Sequence, residues 1–196
     1  MTSVCVASYA ALKEWAISAE SLAQGRQITL LRKGGLLDED GAFHLEHSQF
    51  YFLPTWFHQE RGLVKAEHQD LWRTTPREED ENAKVAYLRH FGRIEEIWRL
   101  REDAERALKD AAHIYSQSYL DTRFGYQEEK PLLCAAIRVW TLDKPIRYEL
   151  RERDLGCKSW VEWEAPLEAL AAPAMGDETF ARKLQELRAI LAPVSL

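Results

Sequence analysis

The sequence predicts an α+β protein with a small mixed, partly closed β-sheet and flanking helices. Two observations support this prediction: strand-like segments outnumber helical ones, and regular helices do not separate them. A doubly wound parallel sheet needs a crossover helix between successive strands, so that architecture is disfavoured. A third observation is an amphipathic segment near the end of the chain, which predicts a helix packed on the sheet.

The first predicted element is a helix at Ala11–Gln24, whose apolar residues recur at helical spacing. Ser8 is the predicted N-cap, and Gly25 is the glycine expected just after a helix end. A strand is predicted at Gln27–Arg32, because apolar residues follow one another closely before two glycines break the run.

Later strands are predicted wherever aromatic and aliphatic residues cluster between turn residues. These strands are Ala42–Glu46 after a hairpin-type turn at 38–41, Gln49–Leu53 ended by Pro54, Lys84–Phe91, Arg93–Trp98, Pro131–Leu142, Arg147–Leu150 and Ser159–Trp163. The polar residues of His58–Trp72 predict a loop that leads into a short helix, and Thr74–Asn82 predicts a surface loop. Helical segments are predicted at Glu102–Asp110, His113–Leu120 and Asp177–Leu191.

Composition indicates one globular domain. The chain has 196 residues, of which 46% are hydrophobic and 30% charged, far from the signature of a disordered segment. The formal net charge is −6. This value disfavours a protein that coats nucleic acid non-specifically, but it is compatible with a local basic patch.

Cysteine usage and hydropathy indicate the cellular compartment of the protein. Cys5, Cys134 and Cys157 form no C-x-x-C pair, and this odd count indicates a reducing environment. Cys134 lies in an apolar run and is predicted to be a core residue, and Cys157 is predicted to be structural rather than nucleophilic. No secretory signal and no run of about 18 apolar residues occurs, so we expect a cytoplasmic protein that does not enter membranes.

Five word-like segments occur in a recognisable order. They are ALKEW at Ala11–Trp15, GRQITLLRKGG at Gly25–Gly35, EHSQFYFLPTWFHQ at Glu46–Gln59, RFGYQEEKPLLCAAIRVWTL at Arg123–Leu142 and GCKSWVEW at Gly156–Trp163. Together they resemble the bacterial domain-of-unknown-function family 1802. The resemblance implies a family-like core at about 11–163 and a C-terminal helical appendage at about 166–196. Some members are associated with restriction-endonuclease-type domains, which implies a restriction–modification setting.

A weaker resemblance is to PUA-like barrels, in particular the ASCH group. Those domains open with a helix, a glycine and a strand that carries a basic residue and an arginine. Here Gly25 is followed seven residues later by Arg32, while Gln27 and Leu30 stand where that pattern has lysine and glutamate. The resemblance implies a small barrel.

The first candidate binding site is the end of the strand at Gln27–Arg32. Arg32 and Lys33 supply charge there, and Gly34 and Gly35 remove the side-chain bulk that would keep a phosphate away from the backbone. The alternative is a solvated strand end with a glycine turn.

The second candidate is the loop after the strand at Gln49–Leu53. Loops on a rigid sheet concentrate binding residues, and Thr55, His58 and Gln59 offer a hydroxyl, an imidazole and an amide. The alternative is a rigid turn in which His58 bonds to a backbone carbonyl.

A third candidate combines cations with aromatic rings. Arg123 can contact phosphate while aromatic residues near it, Phe124, Tyr126 and Trp160, stack bases, and Lys158 is a further candidate contact. The alternative is that the aromatic residues belong to the core and Arg123 lies at a helix C-terminus.

Metal and nuclease chemistry find less support in the sequence. A His/Glu-rich region shows no spacing typical of a metal site; its members are His44, Glu46, His47, His58, Glu60, Glu67 and His68. Neither Glu162 nor Asp143-Lys144 is followed by the Glu-x-Lys that carboxylate–metal nucleases carry. We therefore predict no metal site and no cofactor.

The leading functional prediction is non-catalytic binding of nucleic acid or a nucleotide. One alternative is a metal-dependent nuclease or other hydrolase that uses the His/Glu region. A second alternative is a protein-interaction module without a small-molecule site, in which the final helix serves a homodimer. The sequence leaves open whether the chain is an enzyme.

Overall fold

The computed structural model describes residues 2–33, 47–77, 84–109, 111–126, 130–156 and 158–196. Several predictions lie outside these residues. They concern the turn at 38–41, the strand at 42–46, the glycines Gly34 and Gly35, the residues His44 and Glu46, most of the loop at 74–82, and Cys157.

Six strands and five α-helices make up the regular structure of the described residues. The strands are β1 (Val4–Trp15), β2 (Thr29–Arg32), β3 (Gln49–Thr55), β4 (Val85–Leu100), β5 (Leu132–Glu149) and β6 (Trp160–Pro173). The helices are α1 (Ala16–Ala23), α2 (Leu71–Thr74), α3 (Glu105–Leu108), α4 (Gln117–Gly125) and α5 (Asp177–Leu191). Short 3₁₀ turns occur at Arg61–Leu63, Ala66–His68, Glu102–Ala104, Glu152–Asp154 and Ala192–Val194.

The strands form one sheet that closes on itself. Their order is β2-β5-β4-β3-β1-β6, and β6 also pairs with β5, so five strands form a ring and β2 adds to it from outside. The β1–β3 pair is parallel and the other pairs are antiparallel. This mixed, partly closed sheet with helices around it confirms the predicted α+β fold.

The first predicted helix is wrong in its N-terminal half. Ala11–Trp15 belongs to β1, which pairs with β3 on one side and β6 on the other, and α1 begins only at Ala16. Ala10, Ala11 and Leu12 are all fully buried. A strand buried on both faces carries consecutive apolar residues, and such a run cannot be told from a buried helix by its period.

The end of α1 follows the prediction. Gly25 has a φ of +68°, the left-handed conformation that favours glycine after a helix. The amide of Arg26 donates to Ser21 O and that of Gly25 to Leu22 O, both at 3.0 Å, the bonding of a Schellman motif. Ser8 is not the N-cap: its hydroxyl donates to Gln49 O on β3 at 2.7 Å.

Three strands are longer than predicted, because pairing with neighbours continues across the expected breaks. β4 runs through Gly92, and β5 runs through Pro145 to include the separate strand predicted at 147–150. β6 continues to Pro173, so the segment 166–173 is strand rather than the start of a helical appendage. α5 has the predicted bounds, and the helix predicted at 113–120 starts later, at Gln117, where the Ser116 side chain accepts from Tyr119 N.

Buried apolar side chains form three clusters. The largest packs α3, α4 and α5 against β4 and β5 and contains Cys134, which is fully buried as predicted. A second lies under α1, and a third joins β1, β3 and β6 around Tyr51. The helices therefore cover the sheet around β5, and the ends of β1 and β2 remain at the rim of this cover.

Gly92→Ala should destabilise the fold. An added Cβ would lie 2.9 Å from Phe52 Cε2 and 3.0 Å from the Phe50 ring, closer than packed atoms tolerate. We expect the free energy of unfolding, measured by urea denaturation, to fall by about 1–3 kcal/mol. Gly62→Ala is the control, because nothing lies within 4 Å of its added Cβ. If the free energy of unfolding falls equally in both variants, the packing explanation is wrong.

The single-domain organisation stays a prediction, and the pairing of β3 with β4 across the polar stretch at 74–82 motivates it. We expect circular dichroism and tryptophan fluorescence to report one coincident thermal transition. Proteolysis within the stretch should leave two fragments that remain associated. Two fragments with independent melting transitions would show separate domains.

Candidate nucleic-acid interface

Arg32 ends β2 beside the ends of β1 and β6. Its Nη1 donates to Glu14 Oε2 at 2.7 Å and to Lys13 O at 3.1 Å, and its Nη2 donates to Ser159 Oγ at 2.9 Å. Glu14 Oε1 also accepts from the amide of Trp15 at 2.9 Å. One guanidinium group thus connects β2 to β1 and to the residue before β6.

The Arg32–Glu14 pair is largely shielded from water. The side chains of Arg32 and Glu14 are 17% and 10% exposed. A charge held away from water needs its partner, since removing either one leaves the other uncompensated. Arg32, the first predicted binding residue, therefore has a structural role and is not the solvated strand end given as the alternative.

Lys33 lies next to the C-terminus of α4. Its Nζ donates to Lys130 O at 2.7 Å and to Phe124 O at 3.4 Å. Phe124 is in the last turn of α4, where carbonyl groups lack helical partners and a cation interacts favourably with the helix dipole. Lys33 therefore joins the end of β2 to the segment that enters β5.

Arg123 lies on aromatic rings at the same end of the sheet. Its guanidinium carbon is 5.0 Å from the ring centroid of Tyr119 and 6.0 Å from that of Trp15. Burial lowers the pKa of Arg123, but Tyr119 and Glu14 outweigh this effect, so the pKa is raised and the side chain stays charged. The ring of Tyr119 in turn stacks on Tyr115 at 4.2 Å in the core.

Lys158 and Trp160 have different surroundings, although only Ser159 separates them. Lys158 is exposed and directly precedes Ser159, the hydroxyl partner of Arg32. Trp160 is half-buried and packs edge-on against His47 at 5.0 Å and Phe50 at 5.4 Å between ring centroids. Part of the ring is thus used in core packing, which weakens the prediction that it stacks a base.

The loop after β3 uses two of its predicted binding residues to hold its own shape. Gln59 Nε2 donates to Thr55 O, and Gln59 Oε1 accepts from the amide of Ile17 at 3.3 Å, in the first turn of α1. Thr55 Oγ1 accepts from Phe57 N at 3.3 Å. His58 is exposed, with a φ of 60°. Thr55 pairs with Trp15, so this loop adjoins the ring that Arg123 covers.

The structure brings four of the predicted residues together: Arg32, Lys33, Arg123 and Lys158. Sequence reasoning missed two neighbouring cations, Lys13, whose Nζ donates to Gly156 O at 3.0 Å, and the exposed Lys130. We call these six cations the basic surface: Lys13, Arg32, Lys33, Arg123, Lys130 and Lys158. The sequence contains no signal for Lys13, because Ala11–Trp15 is predicted to be helix and nothing local to the sequence pairs Lys13 with position 156.

The His/Glu-rich region is dispersed. His47 Nε2 lies 2.8 Å from Glu162 Oε1, and burial lowers the pKa of His68. Within the described part of the chain, no group of three or more His, Cys, Asp or Glu side chains is arranged to hold a metal ion. His44 and Glu46 lie outside that part.

Sequence reasoning also missed a partly buried side-chain pair between α1 and β4. Glu20 Oε2 lies 3.2 Å from His90 Nε2, and Thr141 Oγ1 lies 3.4 Å from His90 Nδ1. Burial raises the pKa of Glu20, but the bonds from His90 and Gln24 outweigh it and lower the pKa overall. The pair ties α1 to the sheet, and no local pattern reveals it, because 70 residues separate its members.

A family model for a domain of unknown function, DUF1802, matches residues 11–186. The chain belongs to this family, as its sequence words predicted. No curated protein matches it. The match extends beyond the core of about 11–163 that the resemblance implied.

Solved structures of an ASCH protein from Zymomonas mobilis are similar to the chain. One is 13% identical with a TM-score of 0.43 and covers 91% of this chain and 94% of that one. A mutant of the same protein is 10% identical with a TM-score of 0.45, over 91% and 96% of the two chains. In this chain Gln27 and Leu30, which depart from the ASCH pattern, are both fully buried. Gln27 accepts from Ile114 N at 2.8 Å, so it joins β2 to the segment before α4.

No helix among the described residues is both long enough and apolar enough to span a membrane.

Arg32→Ala should lower stability more than it lowers ligand binding. It leaves the shielded Glu14 carboxylate without its partner, so the free energy of unfolding should fall by about 3 kcal/mol. Adding Glu14→Gln to this variant removes the unpaired charge and should restore part of the loss. Urea denaturation of both variants measures this, with Lys144→Ala on the exposed part of β5 as control. If Arg32→Ala is as stable as the control, the pair has no structural role.

Proposed function

We propose that the protein binds nucleic acid through the basic surface. The observation that supports this proposal is the convergence of six cations from five separate chain segments. Lys13 comes from β1, Arg32 and Lys33 from the end of β2, Arg123 from α4, and Lys130 and Lys158 from the segments before β5 and β6. Phosphate groups are the ligands such clusters neutralise, with release of bound counterions.

The six cations do not share the same role. Lys130 and Lys158 are exposed and have flexible stems, so they are best suited to contact phosphate. Arg123 holds its guanidinium group over the ring of Tyr119, and Arg32 mainly fixes the strand ends that carry the others. Lys33 fixes the loop before β5 through backbone carbonyls.

The overall charge sets the expected strength of binding. The chain carries a formal net charge of −6, so nucleic acid is repelled by most of the molecule and attracted at the basic surface. Binding should therefore be confined to one face, and it should weaken steeply as salt is added. A restriction–modification setting remains a prediction from the family resemblance, and a cytoplasmic location remains a prediction from the cysteine usage and hydropathy of the sequence.

The test is a salt series on a lysine variant. Lys130→Ala/Lys158→Ala should weaken binding of a fluorescein-labelled oligonucleotide, measured by anisotropy. Each lost phosphate contact should reduce the slope of log affinity against log salt by about 0.7 for a single strand or about 0.9 for a duplex. Both lysine side chains are exposed, so thermal stability should be unchanged.

Lys144→Ala is the matched control. Lys144 is also exposed, but it lies eleven residues along β5 from Leu133, the partner of Arg32, or roughly 35 Å of extended strand. Affinity and slope that stay the same in the Lys130/Lys158 variant would refute the proposal, and so would a wild-type protein that binds no oligonucleotide at low salt.

A further inference from the structure

An array of cations and indole rings lies beside the loop that follows β3. Arg77 lies over Trp56 with 4.9 Å from guanidinium carbon to ring centroid, and Arg61 lies over Trp72 at 5.5 Å. The two indole rings are 6.2 Å apart. Both tryptophans are partly buried and pack on the largest core cluster, so the array is anchored in the fold.

The next residue after Trp56 is held out into solvent. Phe57 is 80% exposed, the most exposed of the large apolar side chains among the described residues. The loop that carries it is fixed rather than loose. Thr55 accepts from the Phe57 amide, Gln59 donates to Thr55 O, and Gln59 accepts from the first turn of α1.

The backbone after Phe57 is strained. His58 is the one non-glycine residue of the described segments with a positive φ, at 60°. Most residues rarely adopt this conformation, although histidine does so more often than β-branched or bulky residues. A strained turn that displays an aromatic ring at a fixed position is typical of binding loops, since neither the strain nor the exposure stabilises the fold.

We propose that Phe57 stacks on a base of single-stranded nucleic acid while Arg61 and Arg77, which lie over the rings of Trp72 and Trp56, lie close to its phosphates. This inference rests on the proposed function and specifies its ligand class. Thr55 pairs with Trp15, and Arg123 of the basic surface lies over Trp15, so the aromatic loop adjoins that surface. A strand bound along both meets cations first and then aromatic faces, the combination that single-stranded ligands require.

The chemistry favours a single strand over a duplex. Bases of a duplex are already stacked on each other and present only their edges, so an exposed phenyl ring has no face to stack on. Unpaired bases present faces of every base type to an aromatic side chain, and removing one such contact weakens binding by about 5- to 150-fold. A strand with little sequence preference is therefore the expected ligand.

The test compares Phe57→Ala with Phe57→Trp and with Tyr9→Ala. Tyr9 is a matched control, because it is an aromatic residue that is 54% exposed on β1, away from the loop. The probes are a fluorescein-labelled twelve-residue oligothymidine and a labelled duplex of similar length, both followed by anisotropy. Thermal melts check that each variant folds like the wild type.

Phe57→Ala should weaken binding of oligothymidine by about 5- to 150-fold and leave both duplex binding and the salt slope unchanged. Phe57→Trp should keep the wild-type affinity, and so should Tyr9→Ala. If Phe57→Ala binds oligothymidine as the wild type does while Lys130→Ala/Lys158→Ala binds weakly, stacking is refuted and the proposed function stands. If wild-type protein binds neither probe, the proposed function itself fails. Equal losses for duplex and single strand would also refute stacking.

Discussion

Closure of the sheet is the constraint on which the rest of the structure depends. β5 pairs with β2 and β4 along its first part and with β4 and β6 along its second. This one 18-residue strand therefore closes the ring by joining β4 to β6. Open sheet edges carry unpaired backbone groups, and closure removes them for five strands. β2 is left as a short outer strand of four residues, which limits the edge that remains.

The basic surface is a consequence of that closure. β1 is parallel to β3 and antiparallel to β6, so the end of β1 lies beside the start of β6. Arg32 at the end of β2 lies beside this junction and donates hydrogen bonds to β1 and to the residue before β6. Arg32 and Ser159, the residue next to Lys158, are 127 positions apart in the chain and come into contact only because the ring brings their strand ends together.

The arginine and lysine side chains of the basic surface have different roles because their charged groups differ in hydration. Guanidinium groups are weakly hydrated and planar, so Arg32 and Arg123 can be partly buried against a carboxylate and an aromatic ring. Ammonium groups are strongly hydrated and remain in water, as Lys130 and Lys158 do. The residues that most resembled ligand contacts in the sequence thus build the surface, and less conspicuous lysines face the solvent on it. An acidic protein can in this way present one region of opposite charge, because the potential near a surface depends on the nearest charges more than on the total.

The sequence by itself determined the fold class, the glycine that ends α1, the bounds of α5 and the burial of Cys134. Each of these depends on local chemistry: a helical period, a left-handed backbone position, or an apolar run. Only the tertiary structure decided that Ala11–Trp15 is strand, that β4 and β5 continue past their apparent breaks, and that Arg32 pairs with Glu14. A segment buried on both faces has no period to reveal its type, and a polar partner distant in the chain leaves no local signal. Pairing with neighbouring strands, which no single segment encodes, settled these points.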